Sequence, residues 1–203
     1  MDRTRFYDPR LEHGTPGTTL ALEAMHMVDQ SVQEAIARAA AQGRRLACGP
    51  GCDACCKQAI PLTLLEGIVL VRYMQLHGSP EARRALLAPR GMDCPLLLNG
   101  QCAAYPVRPL ACRRYLVLDR ACAANECPTE SRPRDMLIPS RKVLEKALAH
   151  TLPWYADRPD CPQTDDSKTL WTFVRSITTL VQNLPWASTP ARFMPVLVNS
   201  GTT

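Results

Sequence analysis

Nine residues, CGPGCDACC from Cys48 to Cys56, carry four thiols. Cysteine is often no more than a small buried hydrophobe. That reading suits Cys161 and Cys127, which sit outside the dense region, but not four thiols in nine positions. Disulfides fit poorly too, because adjacent cysteines make bad partners for each other. The compartment also argues against them. The N-terminus MDRTRFYDPR has no apolar h-region, and no apolar run approaches the roughly 18 residues of a membrane span. The expectation is a cytoplasmic chain, where thiols stay reduced and a cysteine framework points to metal or catalysis.

The local geometry supports metal. Cys52-x-x-Cys55 can present two thiolates to one ion across a tight turn. Gly49 and Gly51 let the backbone close around a bound group. Cys55 and Cys56 cannot easily point the same way, so the pair suits two different centres. Downstream, Cys94 and Cys102 flank Asn99-Gly100, a strong hairpin signal, and Cys112 and Cys122 follow. Eight thiols can fill two tetrahedral zinc sites, two cubane iron–sulfur clusters, or one cluster with thiols to spare. Spacing alone does not select among these.

The rest of the chain reads as helical. Leu22, Met25, Val28, Val32, Ile36 and Ala39 form one stripe and predict a helix over about 19–42, capped by Thr18 or Thr19 and ended by Gly43. Thr63 and Glu66 form a capping box for a largely apolar helix over 64–77, ended by Gly78. Ser79-Pro80-Glu81 starts a short helix to about 88. A tiny hairpin spans 96–103 and a helical turn carries Leu110 to Tyr115. Two more helices are expected, over about 140–152 and 167–183. The expected class is mainly α: a small helical domain around an irregular cysteine-rich centre with one short β-hairpin. Its organisation is an irregular arm at 1–17, one domain at 18–184 with the metal-binding centre at 46–128, and an extended Pro-rich tail at 185–203.

CGPGCDACC followed by CPLLLNGQCAAYPVRPLACRRY and a later cysteine resembles the YkgJ-type cysteine-cluster proteins, a family of zinc- or iron-chelating domains. The shared pattern is the CxxxCxxCC opening, a C-P-hydrophobic step, a C-x-x-Y step and an R-P-x-x-C-R step. The resemblance covers about residues 48–127. It implies Cys48, Cys52, Cys55, Cys56, Cys94, Cys102 and Cys112 as ligands, with Cys122 or Cys127 as the eighth; the order of the later residues favours Cys122. It implies a zinc or iron–sulfur site and carries no single reaction. Cys48-x-x-x-Cys52-x-x-Cys55 also has the spacing of radical-SAM enzymes. A preceding helix, the missing βα repeats and Ala54 before the third cysteine argue against that reading.

Arg108, Arg113 and Arg114 surround Cys112. Four thiolates on a divalent zinc leave a net charge of −2, which guanidinium groups can offset, so Arg108 and Arg113 are candidates to support the centre. The four histidines, 13, 26, 77 and 150, have no partner at ligand spacing. The formal charge of +5 is modest and the Arg pairs are scattered, which argues against nucleic acid. The expected role is metal binding in redox, electron transfer or metal handling, with metal ions and a redox or protein partner. A cluster enzyme with an open coordination position and a structural zinc module are the alternatives.

Overall fold

The computed structural model describes residues 6, 8–13, 15–49, 51–87, 93–123, 126–164, 166–184 and 186. The tail expected at 185–203 lies outside these residues apart from Trp186, and so does part of the arm at 1–17. Seven helices are present among the described residues: α1 (Thr18–Ala41), α2 (Leu64–His77), α3 (Pro80–Ala85), α4 (Leu110–Arg114), α5 (Pro128–Ser131), α6 (Arg141–His150) and α7 (Ser167–Ser176). Two two-stranded ribbons accompany them: β1 (Pro61–Thr63) with β4 (Thr178–Leu180), and β2 (Leu97–Leu98) with β3 (Gln101–Cys102). The domain is mainly α. No helix among the described residues is long and apolar enough to cross a membrane.

The stripe on α1 is buried as expected, from Leu22 through Met25, Val28 and Val32 to Ala39. The cap differs. Gly17, in the left-handed region at φ 85°, starts the helix, and Thr18 is its first residue. The Thr18 hydroxyl instead donates to the Thr15 carbonyl at 2.9 Å. Gly43 ends the helix at φ 75°, and its amide and that of Arg44 satisfy the Ala40 and Ala39 carbonyls.

Helix α2 begins at the capping box and is buried on nearly every side. It packs on α1, which also contacts α4 and α6. Helix α3 has its Ser79 cap but ends at Ala85, three residues short of expectation. The hairpin forms as expected, with Asn99 and Gly100 at φ 50° and 74°. Helix α6 ends at His150, and Leu152 joins a 3-10 turn through Tyr155.

The expected helix over 167–183 stops at Ser176. Thr178 and Thr179 are β-branched, and residues 178–180 pair antiparallel with 61–63 in the register Leu62↔Thr179. Ladder bonds to a segment more than 100 residues away outweigh the local apolar spacing of Val174, Ile177 and Val181. The ribbon extends at both ends, through Leu64 N–H to the Ile177 carbonyl at 3.0 Å and Val181 N–H to the Ile60 carbonyl at 3.0 Å. It thereby sets Ile60 and Val181 beside the cysteines.

Candidate metal centre

The thiol-rich loop lies between α1 and β1. Gly51 at φ 83° turns it, the Cys52 amide closes on the Gly49 carbonyl at 3.1 Å, and the Cys56 amide closes on Asp53 at 2.8 Å. Cys55 and Cys56 share a single 3-10 turn, Ala54–Lys57. Two separate pairings bring the remaining thiols to this loop. The Cys94 amide donates to the Cys56 carbonyl at 2.7 Å, which docks the hairpin segment. Residues 45–48 run antiparallel to 116–119, with Leu46 bridged to Leu118 and the Ala47 amide on the Val117 carbonyl at 2.9 Å. Arg44 clamps that ladder through Asp119 at 2.8 Å and Asp135 at 3.1 Å.

One cavity of about 390 Å³ results. Cys48, Cys52, Cys55, Cys56, Cys94, Cys102 and Cys112 all line it. Ile60, Leu96, Leu116 and Val181 give it apolar walls, and Tyr105, Arg108 and Tyr115 add polar groups. Seven thiols from the loop, the hairpin and α4 are thus gathered on one surface. Among the described residues, no three His, Cys, Asp or Glu side chains close on a single point as a finished metal site.

The thiols act on one another. Cys94, Cys102 and Cys112 feel Cys55 and one another through charge. Cys52 also interacts directly with both Cys48 and Cys122, and Cys55 interacts directly with Cys56. Burial pushes the Cys48 and Cys94 thiols up to about 12. Burial also raises Cys102, Cys112 and Cys122, and the adjacent Cys56 thiol followed by burial drives Cys55 far up. Burial thus favours the neutral thiol at these positions, and a bound cation would favour the thiolate.

Backbone N–H groups already face the sulfurs. Val117 donates to Cys48 Sγ at 3.2 Å, Leu96 and Leu97 donate to Cys94, and Ala104 donates to Cys102. Such donors favour the anionic form. Leu96, Leu97, Ala104 and Val117 escape sequence reading because each acts through its backbone amide, which carries no residue signature.

The arginines separate. Arg108 lines the cavity, lies 3.9 Å from the Tyr105 ring centroid, and pulls Cys102 and Cys112 down against their burial. Arg113 is buried and turned toward α1. It donates to Asp29, to the Arg108 carbonyl at 2.8 Å and to the Pro106 carbonyl at 2.6 Å. Burial lowers it to about 10, with Asp29 opposing. It reaches Cys102 only as a charge. Arg114 does not line the cavity. Neither do the histidines: His77 meets Asp8 and His150 meets Glu23, each at 2.7 Å.

Of the two candidates for the eighth ligand, Cys122 stands against Cys52. Arg132 lies 3.8 Å from the Cys122 sulfur, itself held by Glu126 at 2.7 Å. The Cys127 sulfur is occupied differently, 3.0 Å from the Thr129 hydroxyl and 3.8 Å from Gln58 Oε1. Cys161 sits apart, 3.8 Å from the Leu152 carbonyl.

Residues 47–131 match the family model CxxCxxCC, described as "Putative zinc- or iron-chelating domain". The match spans 85 of the 203 residues and makes this stretch similar to chelating domains of that type; α1, α6, α7 and β4 lie outside it. No curated protein and no solved structure matches the chain.

Proposed function

We propose that the domain binds an iron–sulfur cluster through Cys55, Cys94, Cys102 and Cys112 and serves as a redox, electron-transferring module. One observation carries this reading: Cys55 from the loop, Cys94 and Cys102 from the hairpin and Cys112 from α4 line one cavity of about 390 Å³. A tetrahedral zinc ion, with Zn–S bonds of about 2.3 Å, needs its four thiolates in mutual contact. Protein interiors are close-packed, and a water-sized occupant accounts for only about 30 Å³. A multi-atom cluster suits the volume better than one ion.

When bound, such a cluster supplies one-electron transfer at a potential set by its surroundings. The chain's part is to set those surroundings. Ile60, Leu96, Leu116 and Val181 exclude water. The amides aimed at Cys94 and Cys102 stabilise their thiolates, and Arg108 offsets the negative charge. The test is purification without oxygen, followed by the visible spectrum and by iron, zinc and acid-labile sulfide per chain. Brown protein with iron and matching sulfide is expected. Colourless protein with zinc alone overturns the reading.

A further inference from the structure

We infer that an open groove between α4, α6 and α7 docks an acidic segment of a partner protein. The groove lies behind the thiol cavity: Cys112 of α4 lines the cavity, and Arg114, two residues on in the same helix, lines the groove. The inference goes beyond the cluster reading and does not depend on it.

The groove holds about 910 Å³. Four cations line it: Arg114 at the end of α4, Arg141 at the start of α6, and Lys168 and Arg175 on α7. Among the described residues Asp166 is the one carboxylate in the lining, and it is engaged in capping α7, accepting from the Thr169 amide and hydroxyl at 2.9 Å each. Glu145 is engaged too, by Arg141 at 3.0 Å, the Ser167 hydroxyl at 2.8 Å and Trp171 Nε1 at 2.9 Å. Arg114 and Arg175 form no ion pair among the described residues. Arg114 is the clearer case. It is half-buried, its Nε has no hydrogen-bond acceptor among the described residues, and burial lowers its pKa with no carboxylate opposing. A guanidinium so placed lacks a counter-charge that an incoming carboxylate would supply.

The apolar lining selects the occupant. Ile138, just before α6, is 78% exposed, and Trp171 is half-buried in the wall. A nucleic-acid strand stacks its bases on successive aromatic faces. Here Trp171 is the single aromatic in the lining among the described residues, and the Arg141 guanidinium lies over its ring, 5.8 Å from the centroid. An acidic peptide with bulky apolar side chains uses both parts of the groove: carboxylates meet the cations, and an apolar side chain packs on Ile138 and Trp171.

The experiment measures fluorescence anisotropy of a labelled glutamate-rich peptide carrying leucines, titrated with the full chain as purified. The same peptide with glutamine in place of glutamate, and an oligothymidylate, are run beside it. Lys168 and Arg175 are exposed, so the double variant Lys168→Glu, Arg175→Glu should keep its fold and metal content, checked by circular dichroism and elemental analysis. The expected result is saturable binding of the glutamate peptide that weakens with salt, falls at least about tenfold in the double variant and falls in Ile138→Ser. Arg38→Glu, at an exposed position on α1 outside the groove, should bind as wild type does. No saturable binding, equal binding of the glutamine peptide, equal loss in Arg38→Glu, full affinity in Ile138→Ser, or tighter binding of the oligothymidylate would each overturn the inference. Wild-type protein without iron or sulfide would sink the cluster reading and leave this one standing.

Discussion

Glu66→Gln should destabilise the metal-free protein by about 3 kcal/mol. Glu66 is 5% exposed and bridges two helix starts. Its Oε2 accepts from the Thr63 amide at 2.7 Å and the Thr63 hydroxyl at 2.9 Å, closing the capping box of α2. Its Oε1 accepts from the Leu110 amide at 2.7 Å, the first residue of α4, which carries Cys112. Both carboxylate oxygens are therefore committed to backbone donors. Glutamine keeps the volume but has one oxygen; its NH2 must face either Thr63 N–H or Leu110 N–H. That leaves a buried amide unpaired, at about 1–3 kcal/mol, and weakens the surviving charge-assisted bonds by about 1 kcal/mol. At roughly 2–4 °C per kcal/mol for a chain of this size, the melting temperature should fall about 6–12 °C.

The pH dependence gives a second readout. Burial raises the Glu66 carboxyl above its ordinary 4.5, outweighing the hydrogen bonds that oppose it. A raised folded value means its contribution is fully present below 4.5 and lost as pH rises through the folded value. The gap between wild type and Glu66→Gln should therefore widen on acidification. Thermal and urea unfolding of the reduced, metal-free proteins at several pH values measures this. A difference under about 0.5 kcal/mol at every pH would refute the argument that Glu66 struts α4 to α2.

Cys161→Ser should leave metal content unchanged and alter stability by less than about 1 kcal/mol, since it does not line the cavity and its sulfur lies against the Leu152 and Pro162 carbonyls; loss of metal on elemental analysis would place it among the ligands. Gly17→Ala should cost at least about 2 kcal/mol in denaturant unfolding, because φ is +85° and the new Cβ would overlap the Trp154 indole; a neutral effect would mean Trp154 is not packed there. Metal-free protein should lose stability as pH rises from 9 toward 12, since Cys48 and Cys94 are raised from 9 to about 12 and their contribution is present below 9. Alkaline titration followed by circular dichroism checks this, and equal alkaline stability with and without metal would contradict it.

What the sequence by itself determined is local. The capping box at Thr63, the stripe on α1, the Asn99-Gly100 turn and the stop at Gly43 depend on residues within a few positions of one another, so spacing and side-chain type were enough. The concentration of thiols was legible for the same reason, because four cysteines in nine residues need no fold to be noticed. Tertiary structure decided which of those thiols come together. The end of α7 at Ser176 is set by pairing with Pro61–Thr63, and that pairing brings Val181 to the cavity wall. The chain that follows the ladder between 45–48 and 116–119 sets Cys122 beside Cys52. Arg113 looked from sequence like a partner of Cys112, but a buried guanidinium needs an acceptor, and Asp29 on α1 supplies one. Pairings across many tens of residues have no local signature; their free energy comes from backbone donors, buried charges and apolar surface that meet only once the chain has folded.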